Sequence, residues 1–357
     1  MLNRLQALRA VAAYMVVLFH CFEGLHAEEL GIPRMTVGAA GVGLFFVISG
    51  FIMVYVAGSR ETPPTFIVNR IARIVPLYWA ATFAALTLAA IRPWLLPGVS
   101  FDLHSILASL AFVPHRDALG ELKPILFLGW TLNWEMLFYL LFAISMLAAA
   151  RFRLLVLSAL MTAVFVVGLL APQNSPLTFY AQPILYDFIY GCLIATGMRS
   201  PVVGPMLKRL PAWTLILVGA TALLATVLLP ESADTGFPVS NWTRPLLWGI
   251  PAALVVLGVV TLDLSLPPAK IPTLKALGDA SYSAYLLHPL VFAVTGPGLG
   301  LLLGATYAEA ALFLIVAVAG TMLASLLSYR FFEIPSRNLV RDLYHRAIGN
   351  RPTARTP

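Results

Sequence analysis

Nine side chains of this 357-residue sequence can do chemistry by their type and place: Arg9, His20, Arg70, Arg73, His115, Glu135, Asp187, Tyr285 and His288. Most lie inside or at the ends of long apolar runs, where an ionisable group costs several kcal/mol and is a functional candidate for that reason. Arg9 and His20 are 11 residues apart, and 11 helical steps of ~100° return to within about 20° of the same face, ~16 Å further along the axis. One face therefore carries a cation at its mouth and a titratable base three turns deeper. That layout suits a long anionic donor whose phosphates bind at one end while its reactive group lies at the other. A coenzyme A thioester fits, because an extended pantetheine arm has about that length. The plainer alternative is a topological anchor at Arg9 and an interfacial histidine at His20.

Arg70 and Arg73, in FIVNRIARIVPLYW, share a face one short turn apart and can grip a phosphate from two sides at a helix entrance, with Pro76 opening the third helix. As topology signals beside the interfacial Tyr78 and Trp79 they need no such role. In GWTLNWEMLFYLLF, Glu135 lies at a depth comparable to His20 and can orient an imidazole or stabilise its charge; a structural acceptor for a buried donor is the competing account. GDASYSAYLLHPLV sets Ser281, Tyr285 and His288 on one polar stripe, which can line a pathway or make inter-helix hydrogen bonds. Asp187, in the outer half of its run, is a weak pathway candidate, and like Glu309 it can equally be a structural acceptor. His115, on an outer loop, is another weak pathway candidate, with a solvated loop histidine as the alternative. The small residues of GAAGVGLFFVISGF, Gly38, Gly41, Gly43, Ser49 and Gly50, read as close helix packing.

The elements that must position these groups follow from composition. Sixty per cent of the residues are apolar and only 11% charged, where a soluble domain carries roughly 25%. The apolar residues fall in ten runs long enough to cross a ~30 Å hydrocarbon core, at 6–22, 40–57, 74–91, 131–149, 153–171, 181–198, 212–229, 245–261, 280–297 and 309–329. The fold class is thus an all-α polytopic integral membrane bundle of about ten transmembrane helices. Its membrane domain spans 1–336, followed by a basic cytoplasmic tail over 337–357 that begins as a surface helix and ends disordered. The first run has no small-residue cleavage site after it and reads as an uncleaved helix. The longest loop, 92–130, holds an apolar stretch from Leu103 to Val113, too short to span and suited to the interface.

Counted over alternate loops, 18 of the 23 Lys and Arg residues fall on the side of the N-terminus, which places both termini in the cytoplasm. The net charge of +7 is accordingly a sided charge, and a nucleic-acid face would need a soluble domain that is not present. Cys21 and Cys192 lie in or beside apolar runs, too far apart in sequence for metal-ligand spacing or a disulfide framework.

In order along the chain, the R-x10-H of Arg9 and His20, GVGLFFVISGF, the RxxR of Arg70 and Arg73 with IVPLYW, WTLNWEMLFY, SYSAYLLH and FFEIP resemble acyltransferase family 3. SLAFVPHRD followed by GWTLNWEMLFYLLFA is similar to its exopolysaccharide O-acetyltransferase branch. The resemblance implies a multi-pass enzyme of the bacterial cytoplasmic (inner) membrane. Such an enzyme takes an acyl group, usually acetyl, from cytoplasmic acyl-CoA as co-substrate, without a metal. It delivers the acyl group to a hydroxyl of a carbohydrate or lipid-linked oligosaccharide acceptor. It also implies that His20 is the catalytic histidine, acting as general base or transient acyl carrier. Arg9, Arg70 and Arg73 would then bind the donor, with Glu135 as the buried carboxylate. Position 43 is Gly where many members have Asp, and no esterase-like domain follows. Two other readings remain: a membrane acyltransferase for a small metabolite such as a macrolide, and a transporter or flippase, which in-membrane carboxylates suit but the lack of inverted repeats disfavours.

Overall fold

The ten apolar runs all fall on helices. In the computed structural model, which describes residues 2–24, 35–56, 61–96, 98–231, 239–298 and 306–349, these are α1 Asn3–Gly24, α2 Gly41–Val56, α3 Pro63–Ile91, α5 Gly129–Ser145, α6 Arg153–Leu170, α7 Tyr186–Arg199, α9 Ala212–Ala225, α10 Ile250–Ser265, α12 Ser281–Gly298 and α13 Tyr307–Ser328. Short helices α4 Leu103–Leu110, α8 Val203–Lys208 and α11 Pro272–Asp279 lie between them, and α14 Ile334–Ala347 follows. The described residues hold no strand, only an isolated bridge between Arg116 and Leu122.

Six of these segments, containing α1, α2, α3, α6, α10 and α13, are long and apolar enough to cross a membrane by themselves. The other four are shorter or more polar. Helix α5 has 17 residues, α7 and α9 have 14 each, and α12 carries Ser281, Ser283 and His288. Helix α7 starts late because Pro183 and the 3-10 turn Pro183–Leu185 use up the first part of its run. Four cations of the charge count, Arg34, Arg60, Arg351 and Arg355, lie outside the described residues, as does the end of the tail.

One expectation needs correcting. Pro76 does not open the third helix; α3 begins at Pro63 and runs 29 residues with Pro76 in its interior. Thr62 as N-cap with prolines in the first turn is the stronger start signal, since Pro there gives up only an N–H that a helix end leaves unbonded. A proline further along is tolerated in membrane helices. Arg70 and Arg73 therefore lie well inside a continuous helix.

The chain forms two compact units, one of Met1–Gly58 with Ser158–Ser325, the other of Ser59–Leu157 with Leu326–Pro357. In the first, α1 packs on α2, α10, α11 and α12, while α2 pairs with α7 and α9 with α10. Its core joins Leu5, Leu8 and Ala12 to Leu44, Val47 and Phe51, and these to Ala195 and Val256, all buried. Near the other end of α1, Val17 and Cys21 pack on Phe313 and Ala317. In the second unit, α3 packs on α4, α5 and α14. Helix α14 is docked there: Arg341 Nε donates to Asn69 Oδ1 of α3 at 2.7 Å. Leu103 and Leu107 of α4 are exposed while Ser105 and Ser109 are buried, so this short helix turns an apolar face outward. Cys21 and Cys192 are free and buried.

Candidate active site

Helix α1 is fixed from its first turn to the turn that carries His20. The backbone amides of Arg4 and Leu5 donate to the Asp263 carboxylate of α10 at 3.1 and 2.9 Å, so a neighbouring helix caps the otherwise unbonded N–H groups of α1. Farther along, α1 meets the small residues ahead of and opening α2 backbone to backbone. A Cβ on Gly41 would lie 2.5 Å from the Ala12 carbonyl oxygen, and one on Gly38 would lie 2.5 Å from that of Met15. No larger residue fits at either place. Two of the glycines expected to serve close packing, Gly38 and Gly41, do so against α1 over Ala12 to Phe19, the stretch that precedes His20.

Arg9 and His20 share this unbroken helix, with Arg9 Nη1 donating to Gln6 Oε1 at 2.9 Å. The His20 ring lies against His288 of α12, Nδ1 to Nε2 at 3.0 Å, with ring centroids 5.0 Å apart. Phe19 and Phe292 give the pair apolar walls, the first edge-on to His20 at 4.9 Å and the second 5.2 Å from His288. His288 is fully buried. Tyr285 follows at 6.2 Å from the His288 ring.

The interior polar groups of the first unit include Arg244, whose guanidinium lies over the Trp248 ring and donates to the Ala39 carbonyl at 3.5 Å, and which interacts electrostatically with Asp187. Asp187 is fully buried, and among the described residues neither carboxylate oxygen has a hydrogen-bond partner. Its Oδ2 is 3.1 Å from where a Cβ on Gly43 would be, so the position at which this sequence lacks an aspartate is faced by a carboxylate carried on α7.

The second unit holds the other candidates. The Tyr139 hydroxyl donates to Glu135 Oε1 one turn earlier on α5. The Arg70 guanidinium lies 5.5 Å from the Phe66 ring and 5.9 Å from that of Tyr139, a cation over two aromatic faces, and it senses Glu61, Arg73 and Glu135. His115 is buried and bonded rather than solvated: Nδ1 faces the Val113 carbonyl at 3.1 Å and Nε2 the Ser109 hydroxyl at 3.3 Å. Ser109 Oγ also accepts from the Ile125 amide, so Ser109 ties both His115 and the Ile125 backbone to α4. The turn after α4 places Phe112 at φ 58°, a left-handed residue whose ring lies tilted against that of Tyr78, centroids 4.7 Å apart.

Residues 2–330 match the sequence pattern of the acyltransferase 3 domain family. The chain belongs to acyltransferase family 3. It is an O-acyltransferase and a multi-pass membrane protein. A relative, the exopolysaccharide production protein ExoZ of Rhizobium meliloti (strain 1021), is 37% identical over 333 residues, covering 92% of this chain and 96% of that one. The peptidoglycan O-acetyltransferase OatA of Listeria monocytogenes is 24% identical over 364 residues, 93% of this chain but 55% of that protein. No solved structure matches.

In this acyltransferase the structure brings His20, His288 and Tyr285 together and sets the buried Asp187 opposite Gly43. Nothing in the sequence alone singles out Arg244 or Tyr139. Arg244 was legible only as one outer-side cation; the signal was Trp248 four residues on, over whose ring the guanidinium lies at 4.9 Å. The Tyr139 signal was the same spacing from Glu135.

Proposed function

We propose that this acyltransferase moves an acyl group, acetyl by family default, from cytoplasmic acyl-CoA to a hydroxyl of an exopolysaccharide or its lipid-linked precursor on the outer side of a bacterial inner membrane. The observation that carries the reading is a base, His20, held in a fixed orientation on the same unbroken helix as Arg9, in a chain alike over nearly its full length to a protein named for exopolysaccharide production. A ten-helix topology with both termini inside, a membrane domain over 1–336 and a basic tail over 337–357 are part of the proposal. The helix on each apolar run supports the first of these.

His20 acts on the thioester by one of two balanced routes. In the direct route an imidazole nitrogen takes the proton of the acceptor hydroxyl as its oxygen bonds to the thioester carbonyl carbon. The C–S bond then breaks, and the coenzyme A sulfur leaves with that proton. In the two-step route the imidazole nitrogen bonds to the carbonyl carbon and coenzyme A leaves as the thiolate; the acceptor oxygen then displaces the imidazole, and the proton of the acceptor hydroxyl ends on the coenzyme A sulfur. Arg9, Arg70 and Arg73 are assigned the donor's phosphates. Tyr139, bonded to Glu135, is assigned the positioning of Arg70 through its ring face within their own unit. Tyr285, Asp187, Arg244 and His115 are assigned the acceptor's pathway.

The test is acetyl-CoA consumption by purified His20→Ala with a polysaccharide acceptor, beside the O-acetyl content of surface polysaccharide from cells carrying it. Loss of about 10²-fold or more in thioester cleavage, with O-acetyl groups lost, is the expected result. Wild-type coenzyme A release by His20→Ala would remove His20 from the chemistry. Substrate movement without thioester consumption would remove the donor.

A further inference from the structure

We propose that His288 is the positioning residue of the reaction. By accepting a hydrogen bond from His20 Nδ1, it fixes His20 as the tautomer whose Nε2 carries the reacting lone pair. The proposal rests on the reading of His20 as base or acyl carrier.

Three contacts decide where the protons sit. His20 Nδ1 is 3.1 Å from the Val16 carbonyl oxygen, His288 Nδ1 is 3.3 Å from that of Ala284, and His20 Nδ1 is 3.0 Å from His288 Nε2. A neutral imidazole has a single N–H, and a carbonyl oxygen can only accept. If His288 donated from Nε2, the Nδ1 lone pair of each ring would face a carbonyl oxygen, two acceptor-to-acceptor contacts at hydrogen-bonding distance. With a proton on each Nδ1, all three contacts are satisfied. His288 donates to Ala284, and His20 donates a shared bond to Val16 and His288. Nε2 of His20 is then the unprotonated nitrogen.

An unconstrained histidine favours the opposite tautomer, with the proton on Nε2, so the reactive form has to be selected. The helix carbonyl of Val16 is common to any helical histidine; the acceptor supplied by α12 is not. The buried His288 ring, walled by Phe292 and Tyr285, puts this bond in a medium of low polarity, where it is stronger than in water. When Nε2 takes a proton or an acyl group, positive charge spreads to Nδ1–H and the bond to His288 becomes charge-assisted. A neutral imidazole does this without a second buried charge, which a carboxylate in its place would bring at a desolvation cost.

The experiment uses the full chain in detergent or nanodiscs, with acetyl-CoA and a polysaccharide acceptor. His288→Leu removes the acceptor, and His288→Gln keeps an oxygen near the place of Nε2. The expected result is a fall in kcat of about 10²–10⁴-fold for His288→Leu, with KM for acetyl-CoA within about twofold, and recovery of at least about tenfold in His288→Gln. Nitrogen-15 histidine spectra of the wild type should give His20 a pyrrole-type Nδ1 and a pyridine-type Nε2, and His288→Gln should keep that pattern. Three outcomes would overturn the proposal: wild-type kcat in His288→Leu, a His288→Gln enzyme no better than His288→Leu, or a wild-type His20 protonated on Nε2. If His288→Leu does not fold, the spectrum of the wild type and the kcat of His288→Gln decide. An active His20→Ala would instead sink the underlying reading, so the two failures are distinguishable.

Discussion

The two units of this acyltransferase hold their polar groups by different means. In the first, helices touch backbone to backbone. A Cβ on Gly191 of α7 would lie 1.9 Å from the Val47 carbonyl oxygen of α2, and one on Gly50 of α2 would lie 2.0 Å from that of Phe188. In the second, helices meet through rings: Phe66 of α3 lies 5.0 Å from Phe142 and 6.2 Å from Tyr139 of α5, and Arg70 rests on two of these faces. Backbone contact leaves no adjustable atoms, so it fixes the side chains it carries to a few tenths of an ångström. Ring packing can repack by rotation. The first unit thus holds His20 and His288 between helices in backbone contact, and the second holds Arg70 on rings that can rotate.

The contrast is broken most severely by adding atoms to one unit and removing them from the other. Gly191→Val forces α2 and α7 apart where only backbone stands in the way, and a loss of more than about 3 kcal/mol is expected, enough to prevent accumulation of folded protein. Phe142→Leu in the second unit should cost about 1–2 kcal/mol and leave a protein that can be purified. Thermal denaturation midpoints and monodispersity in detergent read both. Equal losses would mean that the two units do not differ in how they are held.

A smaller effect tests the cation cluster. Arg70→Ala should raise KM for acetyl-CoA by about 10- to 100-fold, the worth of a hydrogen bond to a charged group, with kcat within about threefold. Arg70→Lys should recover part of it, since a lysine keeps the charge but not the planar fork. If Arg70 serves only the packing of Phe66 and Tyr139, the alanine variant will lower the denaturation midpoint and leave KM where it was.

The helices and the glycine contacts were legible because a membrane span announces itself by length and apolarity, and close packing by small residues at helical spacing. Arg9 and His20 were legible as one face because they share a helix, and local periodicity is all that relation needs. Pro76 misled because a proline marks a boundary in water but is tolerated within the bilayer, while Thr62 and Pro63 carried the true start. The contact of His20 with His288 joins residues 268 apart in sequence, and no periodicity connects α1 to α12. For the same reason Asp187 could be named as a buried acid but not placed opposite Gly43. His115 reads as a loop residue and is one, but the solvated alternative fails because Ser109 of the preceding helix bonds it in a buried position.

The smallest expected effect asks whether the rigidity around His20 comes from glycine contact alone or also from the polar cap at the far end of α1. Asp263 has no exposed side-chain surface and receives two backbone amides of α1, with Arg4 Nη1 3.3 Å away as a third donor. Asp263→Ala leaves those amides without their acceptor and should lower stability by about 1–2 kcal/mol, and Asp263→Asn, which keeps one acceptor oxygen, by about half as much. Because Gly38 and Gly41 hold α1 independently nearer His20, kcat well below the denaturation midpoint should stay within about twofold in both variants. A kcat that fell with the loss of the cap would show that the position of His20 is set along the whole helix, and the division between a backbone-fixed unit and an adjustable one would then have to include its charged end.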